Sequence, residues 1–120
     1  MISDLIFHHY EFSNFSEKVR LVFGLKDLSW KSVEIPAFEP KPDYTPLTCG
    51  YRRTPALQIG ADIYCDTALI LEVLETLRPT PSIYPGPNPD RTRALSLSLT
   101  GWAESQLIRA VALHITGLHA

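Results

Sequence analysis

Hydrophobic positions along the chain change period several times, and each change marks an element. LIFHHY (5–10) is a short aromatic and branched run and predicts a buried strand. From there Phe15, Val19, Val22 and Phe23 recur at helical spacing, one face of an amphipathic helix. Asn14, three before Glu17, predicts a capping pair at its start, and Gly24 weakens its end. WKSVEI (30–35) then alternates, with Val33 and Ile35 on one side, and reads as a second strand. Residues 36–50 contain Pro36, Pro40, Pro42 and Pro46, too many for regular structure beyond a turn. Gly60-Ala61 sits between two short runs and suits a two-residue hairpin, which pairs 56–59 antiparallel with 62–65. Asp66 is a favoured helix cap, followed by the stripe Leu69, Ile70, Val73, Leu74 and Leu77. Pro79 disfavours helical geometry at Arg78 and stops that helix.

PTPSIYPGPNP (79–89) has five prolines and reads as a stiff linker. Asn88-Pro89-Asp90 then supplies a cap, a first-turn proline and a first-turn acid, so a helix is expected from Pro89 to Ala120. Gly101 and Gly117 are its expected weak points. Apolar residues occur nearly all round this helix, Leu95, Leu99, Trp102, Leu107, Val111 and Leu118 among them. Such a helix should be covered by other elements, and none follows it in the sequence. The whole order, β-α-β then β-β-α, predicts an α/β domain over residues 1–78, a small sheet with helices packed on it. A linker over 79–88 and the first helix of an incomplete all-helical domain over 89–120 complete the expected organisation.

Composition narrows the function classes. With 45% hydrophobic residues, 20% charged residues and a net charge of −2, the chain lacks the clustered positive charge that nucleic acids or anionic membranes require. No apolar run is long enough to span a bilayer, and MISDLIFHHY lacks the basic and apolar regions of a secretory signal. The two cysteines, Cys49 and Cys65, form no metal-ligand spacing and fit a reduced, cytoplasmic protein. His8 and His9 are adjacent on a strand and leave opposite faces, while His114 and His119 are five apart, so no metal site is expected.

Three features bear on chemistry: a hydroxyl at a helix start, Ser13; Thr54-Pro55 ahead of a strand; and Asp66-Thr67 at a second helix start. Each alone is ordinary, a capping serine, a proline turn and a capping aspartate. Together with FSEKVRL (15–21) and RRTPALQIG-ADIYCDT (52–67), in this order and spacing, the chain resembles the N-terminal, thioredoxin-like domain of the cytosolic glutathione transferases. The resemblance covers residues 4–78, and 79–120 resembles the linker and first helix of that family's helical second domain.

That resemblance implies glutathione as co-substrate, no metal, and a homodimer as one expected assembly. Thr54, ahead of a cis Pro55, would pair with the cysteinyl backbone of the tripeptide like an added strand. Thr67, at a helix start with unpaired N–H groups, would hold the γ-glutamyl carboxylate, and Asp66 the α-ammonium. Arg53 would reach the glycyl carboxylate, unless Arg52 and Arg53 are a solvated surface pair. Ser13 would stabilise the thiolate with its hydroxyl and the positive end of its helix. Tyr10 is the rival for that role, since other classes of the family use a tyrosine near the end of the first strand. Ser13 and Ser16 stand where redox-type relatives carry cysteines, so disulfide exchange at this motif is excluded. Asn14 replaces the proline usual there and leaves the subclass open. The expected activity is therefore conjugation of glutathione to an electrophile. A truncated product that binds glutathione without turning it over is the competing expectation.

Overall fold

A computed structural model of the chain describes residues 4–36 and 54–118, apart from the side chains of 115–118. Four strands form one mixed sheet: β1 Leu5–His9, β2 Lys31–Glu34, β3 Ala56–Ile59 and β4 Asp62–Cys65, in the order β2-β1-β3-β4. β1 runs parallel to β2, with His9 opposite Glu34. It runs antiparallel to β3, with His8 opposite Ala56, and β3 pairs antiparallel with β4 from Ala56–Cys65 to Ile59–Asp62. The hairpin is the expected one, and Gly60 turns it with a φ of 60°, where a side chain would be strained. The α/β, thioredoxin-like arrangement expected from the sequence is the fold observed.

Two helices, α1 Asn14–Leu25 and α2 Thr67–Leu77, close the main core over the sheet. Leu5, Phe7 and Leu57 of the sheet meet Val19 and Phe23 of α1 and Ile70 and Leu74 of α2. Phe7, Phe23 and Trp30 pack as an aromatic group, Phe7 edge-on to both and Phe23 stacked on Trp30. A smaller cluster holds Ile35 and Ala56, with Tyr10, Ile63 and Cys65 packed against it.

The helix starts differ from expectation in a way that bears on the site. The cap of α1 is Ser13 and not Asn14: Ser13 keeps an extended backbone, and its Oγ accepts a hydrogen bond from Ser16 N at 3.3 Å. The reason is the turn before it, where Ser13 N donates to Tyr10 O, so that the first helical residue is Asn14. Glu17, freed from the expected pairing, binds Arg20. At the other end, α1 passes Gly24 and closes by bonds from Asp27 N to Gly24 O and from Leu28 N to Phe23 O, with Asp27 in the left-handed position. Asp66 does occupy the cap position of α2, but its side chain makes no capping bond.

The C-terminal ends of α1 and α2 are joined by a buried ion pair. Lys26, with its side chain fully buried, donates from Nζ to Glu75 Oε1 at 2.6 Å, Arg78 O at 2.6 Å and Pro81 O at 2.8 Å. Glu75 also accepts from Ser82 Oγ and Ile83 N, and Arg78 Nη1 returns to Lys26 O and Asp27 O. Burial alone would raise the Glu75 carboxyl pKa, but the bonds from Lys26, Ser82 and Ile83 hold it below its ordinary value. Removing a partner from such a pair leaves charge or carbonyl oxygen buried without compensation.

The chain divides into two compact units, Met1–Ile83 and Tyr84–Ala120. The second consists of α3 Pro89–Trp102, a π-helical turn Ala103–Leu107 and α4 Ile108–Leu118. Asn88 Oδ1 caps α3 by accepting from Arg91 N at 3.2 Å. The weak point expected at Gly101 is expressed as the wider π turn that follows it, where Ser105 Oγ donates to Gly101 O at 2.7 Å. No residue of α3 or the π turn is buried.

Candidate functional site at one end of the sheet

The strand register gathers the chemistry-bearing segments at a single end of the sheet. β1 runs out at His9 and leads through Tyr10 to Ser13 and the start of α1. Because His8 pairs with Ala56, Thr54 and Pro55 lie beside that same end, and Pro55 follows a cis peptide. Ala56 pairs in turn with Cys65, which brings Asp66 and Thr67 there too. The N-termini of α1 and α2 therefore open toward one end of the sheet, each with partial positive charge on its first amides.

Strand spacing sets the width of this end. β1 and β4 are separated only by β3, and two spacings of about 4.8 Å span roughly 10 Å. An extended tripeptide reaches about the same distance, at 3.3–3.6 Å per residue. Between the helix starts lies Thr54, half-buried, with the buried Pro55 behind it.

Individual side chains differ in their state. Ser13 is half-buried and its Oγ accepts one bond, from Ser16 N, so its own hydroxyl hydrogen is available as a donor. Ser16 is fully buried inside the first turn, and its Oγ has no hydrogen-bond partner among the described residues. Tyr10 is half-buried; its ring packs against the Ile35–Ala56 cluster and stacks on the exposed ring of Phe12, with centroids 5.3 Å apart. Thr67 is buried, whereas Asp66 is exposed and has a φ of 75° and ψ of 126°. That backbone is costly for a residue with a side chain, and such outliers concentrate at ligand-contacting positions. Arg53, together with Arg52, Cys49 and the proline-rich segment, lies outside the described residues.

Sequence reasoning missed a second layer. Arg20, on α1, places its guanidinium behind the loop that leads to Ser13. Nη1 donates to His9 Nδ1 at 2.8 Å and to Tyr10 O at 3.1 Å, and Nη2 donates to Glu11 O at 3.0 Å. Glu17 holds the same guanidinium at 2.7 Å. Since arginine only donates, His9 Nδ1 must accept, and the ring proton resides on Nε2, 2.6 Å from Ser32 Oγ. Burial, and then the nearby Arg20 charge, lower the His9 pKa from its ordinary 6.5 and keep the ring neutral. Arg20 falls within the FSEKVRL run, but nothing local to it points to a histidine eleven residues earlier. That contact exists only once the helix packs on the sheet.

Among the described residues, no group of three or more histidine, cysteine or acidic side chains is placed to hold a metal ion. No helix among them is long and apolar enough to cross a membrane. A groove of about 480 Å³ along α2, lined by Ile59, Tyr64, Leu69, Glu72, Val73, Thr76 and Leu77, contains none of Tyr10, Ser13, Thr54, Asp66 or Thr67.

Comparison with known proteins decides the family. A sequence model described as the N-terminal domain of glutathione S-transferase matches residues 7–82, more than half of the chain. The chain belongs to the glutathione S-transferase family. Among solved structures, a GST-like protein from Pseudomonas syringae is 51% identical, with a TM-score of 0.78, over 92% of this chain and 40% of that one. A glutathione transferase homologue from Burkholderia, solved with bound glutathione, is 23% identical with a TM-score of 0.72, over 89% of this chain and 57% of that one. The Tau class glutathione S-transferase of mango shares the fold at 15% identity, with a TM-score of 0.77, over 86% of this chain and 46% of that one. The chain thus spans 40–57% of the length of these three family structures. A search of curated proteins finds no match to the chain.

Proposed function

We propose that this family member binds glutathione at the end of the sheet described above and activates its thiol for addition to an electrophile. The observation that carries the reading is the convergence of two helix N-termini and the Thr54–Pro55 segment within about the length of an extended tripeptide. Thr54 would pair with the cysteinyl backbone, Thr67 and the first amides of α2 with the γ-glutamyl carboxylate, and Asp66 with the α-ammonium. Arg53 would contact the glycyl carboxylate. Ser13 would donate its hydroxyl hydrogen to the thiolate. A free thiol titrates near 8.5, so only about one molecule in thirty is ionised at neutral pH. A donor and a helix N-terminus at the sulfur raise that fraction and aim the nucleophile. Attack on an electrophile then forms the carbon–sulfur bond and expels its leaving group with the bonding pair; the thiol proton has already gone to solvent.

The reading includes a glutathione-binding domain over 1–78, a linker over 79–88 and the opening helix of a helical domain over 89–120. It also includes a cytoplasmic location, a role in detoxification and a homodimer. The Burkholderia homologue with its bound glutathione supports the choice of ligand.

Ultraviolet titration of bound glutathione tests the central role. Ser13→Ala should lower the thiolate fraction while glutathione affinity stays within about three-fold, since a few tenths of a kcal/mol is all that a contact to the neutral ligand should supply. An unchanged titration in Ser13→Ala, with a shift in Tyr10→Phe, would transfer the role to Tyr10. The competing reading is a glutathione-binding module without turnover. Conjugation of an aryl halide by the 120-residue chain separates the two, because binding without product formation selects the second.

A further inference from the structure

A continuous set of bonds leads from the second strand to the loop that carries Ser13. Ser32 Oγ on β2 meets His9 Nε2, His9 Nδ1 accepts from Arg20 Nη1, and Arg20 Nη1 also donates to Tyr10 O. Tyr10 O is the same carbonyl that accepts from Ser13 N. The His9 ring is itself fixed: it stacks on Phe7 at 5.0 Å and meets Trp30 edge-on at 5.4 Å. Arg20 adds a bond to Glu11 O, so two consecutive carbonyls of the loop are tied to one rigid, planar group. The loop has few other described backbone bonds; between Tyr10 and Ser13 only the Ser13 N contact, long at 3.4 Å, closes the turn.

We propose that Arg20, anchored on neutral His9, is the positioning residue for the Ser13 hydroxyl. The inference rests on the reading of Ser13 as the thiolate donor and adds what holds that donor in place. A hydroxyl helps a thiolate only when its hydrogen points at the sulfur, within a few tenths of an ångström and some 10–20° of the productive geometry. Ser13 sits at the junction of loop and helix, and its direction is set by the path of Tyr10–Phe12. Arg20 fixes that path by bonding to two carbonyls. His9 fixes Arg20, because an imidazole held neutral by burial can accept from a guanidinium, whereas an imidazolium would repel it. Lysine at position 20 would keep the charge but has no fork to hold His9, Tyr10 O and Glu11 O together.

The test is the thiolate fraction of bound glutathione in the 120-residue chain, measured for Arg20→Met, Arg20→Lys, Ser13→Ala and the Ser13→Ala/Arg20→Met pair. Both Arg20 variants should lower that fraction at neutral pH by about five- to ten-fold, approaching one pKa unit, with glutathione affinity within about three-fold. In the Ser13→Ala background Arg20→Met should produce no further drop, since the group it positions is gone. A merely structural role would lower the melting temperature and affinity without moving the thiol titration. If Arg20→Met fails to fold, Glu17→Gln, which loosens the guanidinium from an exposed position, should shift the titration in the same direction by a smaller amount. A wild-type thiolate fraction in the folded Arg20 variants, or full rescue by lysine, overturns the proposal while a Ser13→Ala effect leaves the function standing. An unchanged fraction in Ser13→Ala removes Ser13 as the donor and overturns the proposal with it, and is recognised by that single variant.

Discussion

Residues 4–83 and residues 84–118 are both rich in leucine, and the first buries several of its leucines in one core while leaving Leu21, Leu25 and Leu69 exposed. In the first region Leu5, Leu57 and Leu74 are at most 3% exposed and share one core with Val19, Phe23 and Ile70. In the second, Leu95, Leu99, Trp102 and Leu113 are 56%, 66%, 54% and 71% exposed. The difference is geometric. A sheet with two helices encloses a volume, whereas no residue of α3 or the π turn is buried. Apolar composition alone therefore says little about stability, and the neighbours decide it.

The largest effect expected from this contrast is on association. Each large apolar side chain left in water forgoes about 1.5–3 kcal/mol relative to burial. Four or more of them on one helical run favour self-association, in line with the size of exposed patch that monomers tolerate. Light scattering should find the 120-residue chain self-associated, and the combined variant Leu95→Ser, Leu99→Ser, Trp102→Ser should shift it toward monomer. A monodisperse monomer of the unaltered chain would break the comparison.

Next in size is the buried pair that ties α1 to α2. Lys26→Met should destabilise the first region by about 3–5 kcal/mol, because Glu75, Arg78 O and Pro81 O lose their common donor. Leu99→Ser, on the exposed helix, should change the urea midpoint of the same unfolding transition by less than about 0.5 kcal/mol in free energy. Equal effects of the two substitutions would remove the distinction between the regions.

The proposed glutathione site lies in the first region. Asp66→Ala and Thr67→Val should each weaken glutathione binding by about 1.5–3 kcal/mol, one to two orders of magnitude in affinity. Calorimetry would show no such loss for substitutions on α3. Wild-type affinity in both variants would sink the assignment of the α2 start to the glutamyl end.

The smallest effect is that of pH. His9 has a folded pKa below its ordinary 6.5, through burial and then Arg20, so the unfolded chain takes up a proton first as pH falls. The stability that neutral His9 contributes is present above pH 6.5 and lost as pH falls through the folded value. Urea midpoints of the first transition should therefore decline from pH 7 to pH 5, and the decline should be shallower in His9→Gln. Glu75, held below 4.5, contributes in the same sense only at lower pH.

The element boundaries that make up the candidate site were legible before any fold. Ser13, Thr54-Pro55 and Asp66-Thr67 stand at element boundaries, and boundaries are written in local chemistry: caps, prolines and changes of period. Less legible was which serine or asparagine caps α1, because Ser13 and Asn14 are both good caps and the choice depends on the turn at Tyr10. The backbone at Asp66 was not legible either. Aspartate at a helix start suggests a side-chain cap, and the structure has instead a strained backbone with the carboxylate exposed.

What the sequence by itself determined is the order of elements and the hairpin register at Gly60, since each rests on periodicity or on short-range residue chemistry; the family followed from the resemblance of FSEKVRL and RRTPALQIG-ADIYCDT and from the matching family model. Tertiary structure alone decided the contacts that join distant positions: His9 with Arg20 and Ser32, and Lys26 with Glu75 and Pro81. A lysine followed by an aspartate at a helix end looks like solvent-exposed charge, and a histidine beside another on a strand looks like an ordinary core or edge residue. Only packing reveals that one is sealed among carbonyl oxygens and the other is pinned neutral against a guanidinium. Hydrogen bonds and ion pairs of this kind depend on angstrom-scale position and on local dielectric, and neither quantity exists until the chain has closed around them.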